Sequence, residues 1–389
     1  MTIALIVGAR PNFIKAAPLW KALQQFPELK VYLIHTGQHQ DAVMSSVFLD
    51  GLGLPAPHFC LPERRSGVVQ KIAQIIFGLE TIFQKIRPDW VFVIGDVTST
   101  LAGALAAKQQ GIRVAHVEAG LRSGDLEMPE ERNRIQVDHL SDLLFASETS
   151  GVFNLEREGI PSERIFFPGN VLIDALHAVL PEAKMLNPHT VIQTALFNNP
   201  GQLLPKNWAL ATFHRPSNVD QLAGLQKTIQ LLQAAARWLP VLFPVHPRTM
   251  KSLKRHMLDQ HLQGTPNLYL LRPLGYAEMI CLTRTAKFVL TDSGGVQEES
   301  TCLNVPCLTF RSSTERPATV ETGTNMLISD LEIQTAEAQI EVLLAGRYKS
   351  GAIPPLWDGQ AAPRIVQHLI QVSQHQTGSA YTFAPAWKK

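Results

Sequence analysis

Short apolar runs alternating with helical segments constrain this chain more than any other feature. The clearest instance is the stretch VFVIGDVTSTLAGALAAKQQGIRVAHVEAGLRSGDLEMPEERNR, residues 91–134. Residues 91–94 and 114–117 read as buried parallel strands. The Ala- and Leu-rich residues 99–110 between them read as a crossover helix. Each strand ends at an acid, Asp96 after Gly95 and Glu118 before Ala119-Gly120, and a third acidic group follows in Pro129-Glu130-Glu131. In an open α/β sheet, ligands sit beyond the carboxyl ends of the strands. One acid there would cap a helix or hold an arginine. Three at successive edges point to chemistry.

The same rhythm runs through the chain. Strands are expected at residues 3–7, 31–35, 143–146 and 165–168, with a long amphipathic helix at 66–87. Gly169-Asn170 breaks the pattern, and residues 181–207 are irregular, rich in Pro and Asn. The rhythm restarts with strands at 209–213, 241–245, 268–271, 288–291 and 307–310, and a helix at 222–238. The expected fold is α/β: two Rossmann-like doubly wound domains with a cleft between. Their expected extents are 1–169 for the first, carrying the carboxylates, and 170–362 for the second, binding a nucleotide. A final helix at 363–374 is expected to return to the first domain, leaving 379–389 as a loose tail.

Composition excludes several classes. The formal charge is +2, from 35 basic and 33 acidic residues, with no Lys/Arg block, so no nucleic acid or membrane surface is expected as a partner. Cys60, Cys281, Cys302 and Cys307 form no C-x-x-C pair, which argues for reduced thiols without a disulfide framework or structural zinc. The first residues lack the basic start and apolar length of a signal peptide, and no run reaches the length of a membrane span. A cytoplasmic enzyme is the expectation. No metal is expected, because acids and histidines lack ligand spacing.

Further groups gather at strand ends. Arg10 lies in the turn after the first strand and Lys15 one turn into the following helix, two cations suited to an anion. Thr291-Asp292-Ser293-Gly294-Gly295 follows a strand and opens a helix, where N–H groups and the helix terminus favour phosphate. Glu298 and Glu299, one turn in, are placed to grip ribose hydroxyls. His214 ends a strand and is a candidate acid or base; Arg316 is a candidate phosphate clamp. His246 reads as structural or as a secondary ligand contact. These residues alone describe a two-domain enzyme that binds a nucleotide diphosphate in its second half and presents carboxylates from its first.

The motifs GARPNFIKAAP, GDVTSTLAGALAA, HVEAGLRS, MPEERNR, ATFHRP, PVHP, LTDSGGVQEES and TERP occur in one order. Together they resemble the non-hydrolysing UDP-N-acetylglucosamine 2-epimerases, a family of glycosyltransferase-B fold. The resemblance implies interconversion of UDP-N-acetylglucosamine and UDP-N-acetylmannosamine, without cofactor, by loss of UDP, a 2-acetamidoglucal intermediate and re-addition. It implies catalytic roles for Asp96, Glu118, Glu130 and His214. It implies substrate contacts at Arg10, Lys15, Leu274, Met279, Ser293, Gly294, Gly295, Glu299 and Arg316. It also implies a homodimer working in polysaccharide biosynthesis. Gln38 and His246 resemble parts of a second, effector site in bacterial members. Pro216-Ser217-Asn218 and Ala318 depart from the family's usual residues. The alternatives that stay open are a 2-epimerase of a UDP-2,3-diacetamido sugar or uronic acid, a glycosyltransferase of the same fold, a hydrolysing epimerase that releases free N-acetylmannosamine and UDP, and a non-catalytic UDP-sugar sensor.

Overall fold

The computed structural model describes residues 1–37, 46–62, 67–197 and 204–375. Gln38 and the 379–389 tail lie outside them. The chain forms two compact units: Met1–Ala175 together with the residues from Pro355 onward, and Leu176–Pro354.

The first unit is built on a seven-stranded sheet. Its strands are β1 (Thr2–Val7), β2 (Lys30–His35), β3 (Phe59–Cys60), β4 (Trp90–Ile94), β5 (Arg113–Ala119), β6 (Leu143–Ala146) and β7 (Ile165–Phe166), in the order β3-β2-β1-β4-β5-β6-β7. Every pairing is parallel. Strands buried on both faces lose the alternation of polar and apolar residues, which explains runs such as Ile3–Val7. Ile3, Leu5 and Val7 pack on one side with the Arg10–Leu23 and Ala361–His375 helices; Ala4 and Ile6 pack on the other with the Val68–Ile86 and Thr98–Gln109 helices.

The second unit repeats the plan with six strands: β8 (Ala209–Thr212), β9 (Val241–Pro244), β10 (Leu268–Leu271), β11 (Phe288–Thr291), β12 (Cys307–Phe310) and β13 (Asn325–Ile328), ordered β10-β9-β8-β11-β12-β13, all parallel. In each sheet the order reverses beside the first strand, between β1 and β4 and between β8 and β11. A doubly wound sheet opens a crevice at that point.

Two features differ from the sequence expectation. β3 and β13 were not foreseen: the first has two residues, too few for any periodicity, and the second begins with Asn325. The units also divide inside the Val171–Met185 helix rather than at Gly169. The first turn of that helix belongs to the first unit, where Val171 is core and Asp174 accepts hydrogen bonds from the Ala361 and Ala362 N–H groups at 3.0 and 2.6 Å. The return begins at Pro355, and Trp357 donates from Nε1 to the Ser147 carbonyl at 2.9 Å.

His368, on the last helix, stacks on Phe166 with ring centroids 4.2 Å apart. Burial pulls its pKa down to about 4. An unfolded histidine titrates near ~6.5. The fold therefore holds the neutral ring: its contribution is complete above the unfolded value and is lost as pH falls towards the folded one. Because the ring is partly exposed, the expected loss is about 1–3 kcal/mol. Urea unfolding at pH 7 and pH 4.5 should show a steeper acid loss for the wild type than for His368→Phe.

Candidate active site

In the first unit, three strand ends converge at the crevice edge. Asn12, at the start of the Arg10–Leu23 helix, accepts hydrogen bonds from the Gly8 and Ala9 N–H groups at 3.2 and 3.1 Å. Its side chain also donates to the Ile94 carbonyl at 3.0 Å. The β1 turn is thereby tied to the end of β4, which fixes where Arg10 and Lys15 emerge. Lys15 is buried, and its ammonium donates to the Glu118 carboxylate in an ion pair.

Glu118 has a left-handed backbone, φ 73°, at a register shift between Val117 and Ala119 in the β5–β6 pairing. A non-glycine residue there costs free energy and persists only where its surroundings over-determine it. Gly95 (φ 65°) and Gly120 (φ 81°) flank it, and the Gly95 N–H bonds the Val117 carbonyl at 2.9 Å. A Cβ on Gly95 would lie 3.0 Å from Glu118 Oε2, so the carboxylate rests over the residue before Asp96.

Asp96 accepts from the Arg134 guanidinium, and its carbonyl accepts from Asn133 Nδ2 at 2.8 Å. Arg134 also grips Glu131, which is 1% exposed. Glu131 accepts from the Ser123 and Gly124 N–H groups at 3.0 and 2.9 Å and organises the loop before the Pro129–Leu140 helix. Its neighbour Glu130 is exposed. The acidic pair is thus split between a loop brace and a solvent-facing carboxylate.

In the second unit, Asp292 is fully buried at the end of β11 and acts as a hub. It accepts from the His214 N–H (3.1 Å), the Arg215 N–H (2.9 Å) and Asn218 Nδ2 (3.0 Å). It thus pins the residues after β8 to those after β11. Partial burial lowers the His214 pKa; Arg215, Arg248 and Arg311 act the same way, and Asp292 opposes them. The His214 ring lies 5.1 Å from that of His246, which caps the Pro247–Arg255 helix by accepting from the Arg248 N–H at 3.2 Å.

Ser293 is the N-cap residue of the Gly294–Cys302 helix. A Cβ on Gly294 would meet Arg316 Nη1 at 2.6 Å and Glu315 Oε1 at 3.0 Å, so glycine is required by the close approach of the guanidinium. Arg316 is buried, with Nε 2.8 Å from Glu298 Oε2 and Nη1 ion-paired to Glu315. Glu315 also takes Arg311 at 2.5 Å and Arg215 at 3.7 Å. Glu298, expected to face a ribose, is therefore the buried partner of Arg316. Glu299 lies beside the Tyr276 hydroxyl, whose pKa burial and then this carboxylate push well up. Leu274 is buried and Met279 half-buried at the Tyr276–Thr285 helix. Sequence reasoning missed Asp292 as a hub, along with Arg134, Arg311 and Glu315. Arg134 and Glu315 are joined to residues far along the chain, Asp96 and Arg215, and only the TDSGG spelling drew attention to Asp292. Among the described residues, no cluster of His, Cys, Asp or Glu is placed to hold a metal ion.

Two such sheets, each with its reactive groups at the switch point, define a glycosyltransferase-B fold. A lipopolysaccharide outer core galactosyltransferase, 12% identical, shares that fold over 96% of this chain and 100% of its own, with a TM-score of 0.50. Residues 21–370 match the UDP-N-acetylglucosamine 2-epimerase family, and the chain belongs to it. The UDP-N-acetylglucosamine 2-epimerase of Methanocaldococcus jannaschii is 37% identical over 376 residues, 95% of this chain and 99% of that protein. Its crystal structure in complex with UDP-GlcNAc and UDP covers 95% of this chain and 100% of that one, at 36% identity and a TM-score of 0.87. The UDP-2,3-diacetamido-2,3-dideoxy-D-glucuronate 2-epimerase of Pseudomonas aeruginosa is 35% identical over 385 residues, 96% of this chain and 100% of that protein.

Proposed function

We propose that this chain is a UDP-N-acetylglucosamine 2-epimerase that interconverts UDP-GlcNAc and UDP-ManNAc by elimination and re-addition of UDP. The observation that carries this reading is the buried Lys15–Glu118 pair on a left-handed Glu118, resting over the residue before Asp96. The chemistry calls for such groups. The C2 proton of a pyranose becomes removable only as the C1–oxygen bond to UDP breaks and positive charge grows at C1. A carboxylate takes that proton, and the C2–H electrons form the glucal double bond. A second group returns a proton to the opposite face while a UDP oxygen re-forms the bond to C1. Two faces need two acid–base groups, for which Asp96, Glu118 and Glu130 are the candidates, with His214 a further candidate.

Arg10 and Lys15 serve the sugar end. Ser293, Gly294, Gly295 and Arg316 serve the diphosphate, Glu299 the ribose, and Leu274 and Met279 the uracil. The helix terminus and the arginine cluster around Glu315 favour a departing anion. Free thiols at all four cysteines and the lack, among the described residues, of any helix able to cross a membrane support a cytoplasmic setting. Exposed Val69 and Phe77 on the Val68–Ile86 helix support a homodimer. Polysaccharide biosynthesis is the proposed context.

The test is incubation of UDP-GlcNAc with enzyme in heavy water. One deuteron should enter at C2 as UDP-ManNAc forms. Transfer without exchange, or UDP accumulating without epimer, would reject the reading. The Pseudomonas aeruginosa relative favours a second one, so UDP-2,3-diacetamido-glucuronate belongs in the same assay. The preferred sugar is the one with the larger kcat/KM.

A further inference from the structure

One buried cluster behind these acids has no role in the chemistry above. His116, on β5 two residues before Glu118, is fully buried, and so is Asp138 on the Pro129–Leu140 helix. His116 Nε2 donates to the Gly95 carbonyl at 2.8 Å, and Nδ1 lies 2.7 Å from Asp138 Oδ1. Asp138 Oδ2 accepts from the Gly120 N–H at 3.1 Å and pairs with Arg122 Nη1 at 2.7 Å. Arg122 in turn pairs with Glu158, which also lies 3.4 Å from His139 Nε2.

Hydrogen-bond accounting fixes the protons. A carbonyl only accepts, so Nε2 carries a hydrogen. Asp138 Oδ2 already takes two donors, the Gly120 N–H and Arg122, the pattern of an ionised carboxylate that can only accept, so the Nδ1 facing Oδ1 carries a hydrogen as well. Burial alone would raise the Asp138 pKa, but His116 and Arg122 overcome it and hold the carboxyl below its usual value.

The partners of this pair are not scattered. Gly95 precedes Asp96. Gly120 lies two residues after Glu118 and, like Gly95, has a left-handed backbone. The helix that bears Asp138 carries Arg134 and Glu130 one and two turns earlier, and Arg134 grips Asp96. All three acid-bearing segments therefore meet at one buried ion pair. A buried pair is a poor source of stability, because an apolar pair of equal volume often does as well. Its use here is geometric.

We propose that His116 and Asp138 are positioning residues for epimerisation: they lock the Gly95 carbonyl and the Gly120 N–H, and so hold Asp96 and Glu118 where proton removal and return can succeed each other. The proposal rests on the epimerase reading. A misplaced second acid fails to re-protonate the glucal in time, so loosening the pair should divert turnover into release of glucal and UDP.

Three arms test it. First, ring-¹⁵N-histidine spectra of the wild type at pH 7.5, assigned with His116→Gln, should show hydrogens on both nitrogens of His116. This arm needs neither substrate nor a folded Asp138 variant, and a single ring hydrogen overturns the proposal. Second, Asp138→Asn and His116→Gln should each lower kcat by about 10- to 100-fold, the lower part of the acid–base range. KM and UDP affinity should stay within about threefold, and the share of turnovers ending as glucal should rise. Third, the double variant should be no worse than either single one, as for residues acting as a unit. Folded variants with wild-type kcat and glucal share overturn the proposal. So does a parallel fall of kcat, UDP affinity and melting temperature, which marks a purely structural pair. If the wild type itself exchanges no C2 hydrogen with any UDP-sugar, the epimerase reading fails instead, whatever the spectra show.

Discussion

Glu118→Gln is expected to lower turnover by about 10²–10⁴-fold, the range for removing one acid–base group, while UDP affinity changes little. The reason is local. Glutamine keeps the shape of the side chain but neither takes a proton nor forms an ion pair with Lys15, which is buried against it. The register shift and the glycines around position 118 are backbone features that the substitution leaves in place, so the loop should survive. The groups proposed to hold the nucleotide sit in the second unit, which the substitution does not touch. Kinetics by coupled assay and UDP binding by calorimetry give the two numbers. Equal losses in both would make Glu118 a binding or structural residue and remove it from the acid–base set.

Arg316→Ala should act first on stability. The sequence marks Arg316 as a phosphate clamp, whose loss would cost only about 1.5–3 kcal/mol of UDP binding, as for a hydrogen bond to a charged group. The structure adds two buried carboxylates, Glu298 and Glu315, that depend on the same guanidinium. Breaking a buried pair from one side costs about 3–5 kcal/mol, because it leaves uncompensated charge behind. A unit of this size should then melt about 10 °C lower. Arg316→Lys should recover only part of this, since one ammonium cannot bridge two carboxylates as a fork does. Calorimetric melting without ligand is the deciding measurement. An unchanged midpoint with weakened UDP binding would restore the simple clamp.

The two cases mark where sequence reading reached and where it stopped. Asp96 and Glu118 stand out in the sequence as candidates because they end apolar runs, and strand ends form the functional edge of a parallel sheet. Glu130 and Glu131 could not be told apart in that way. Adjacent acids have the same composition, and helix phase decides which one turns inward to Arg134. Arg316 was visible as a cation before a proline, but its partner Glu298 is eighteen positions away and meets it only through the packing of β11 and β12. His116 lay hidden inside an apolar strand, where nothing in the local pattern separates it from Val117. The unit boundary was missed for a similar reason: Gly169 is a strong local stop, yet the Val171–Met185 helix crosses from one unit to the other without interruption.

That crossing, with the return at Pro355, sets an order on the molecule's birth. Ala361, Ile365, Val366 and Leu369 are core residues of the first unit, and they follow the whole of the second unit in the chain. On the ribosome the first sheet emerges early but must wait for its last helix. The second unit, contiguous in the chain, has all its strands before that helix is made. Domains usually fold in the order in which they are synthesised. Here the unit that begins the chain is the last to be completed, and its half-built apolar face is the one a nascent-chain chaperone would have to shield.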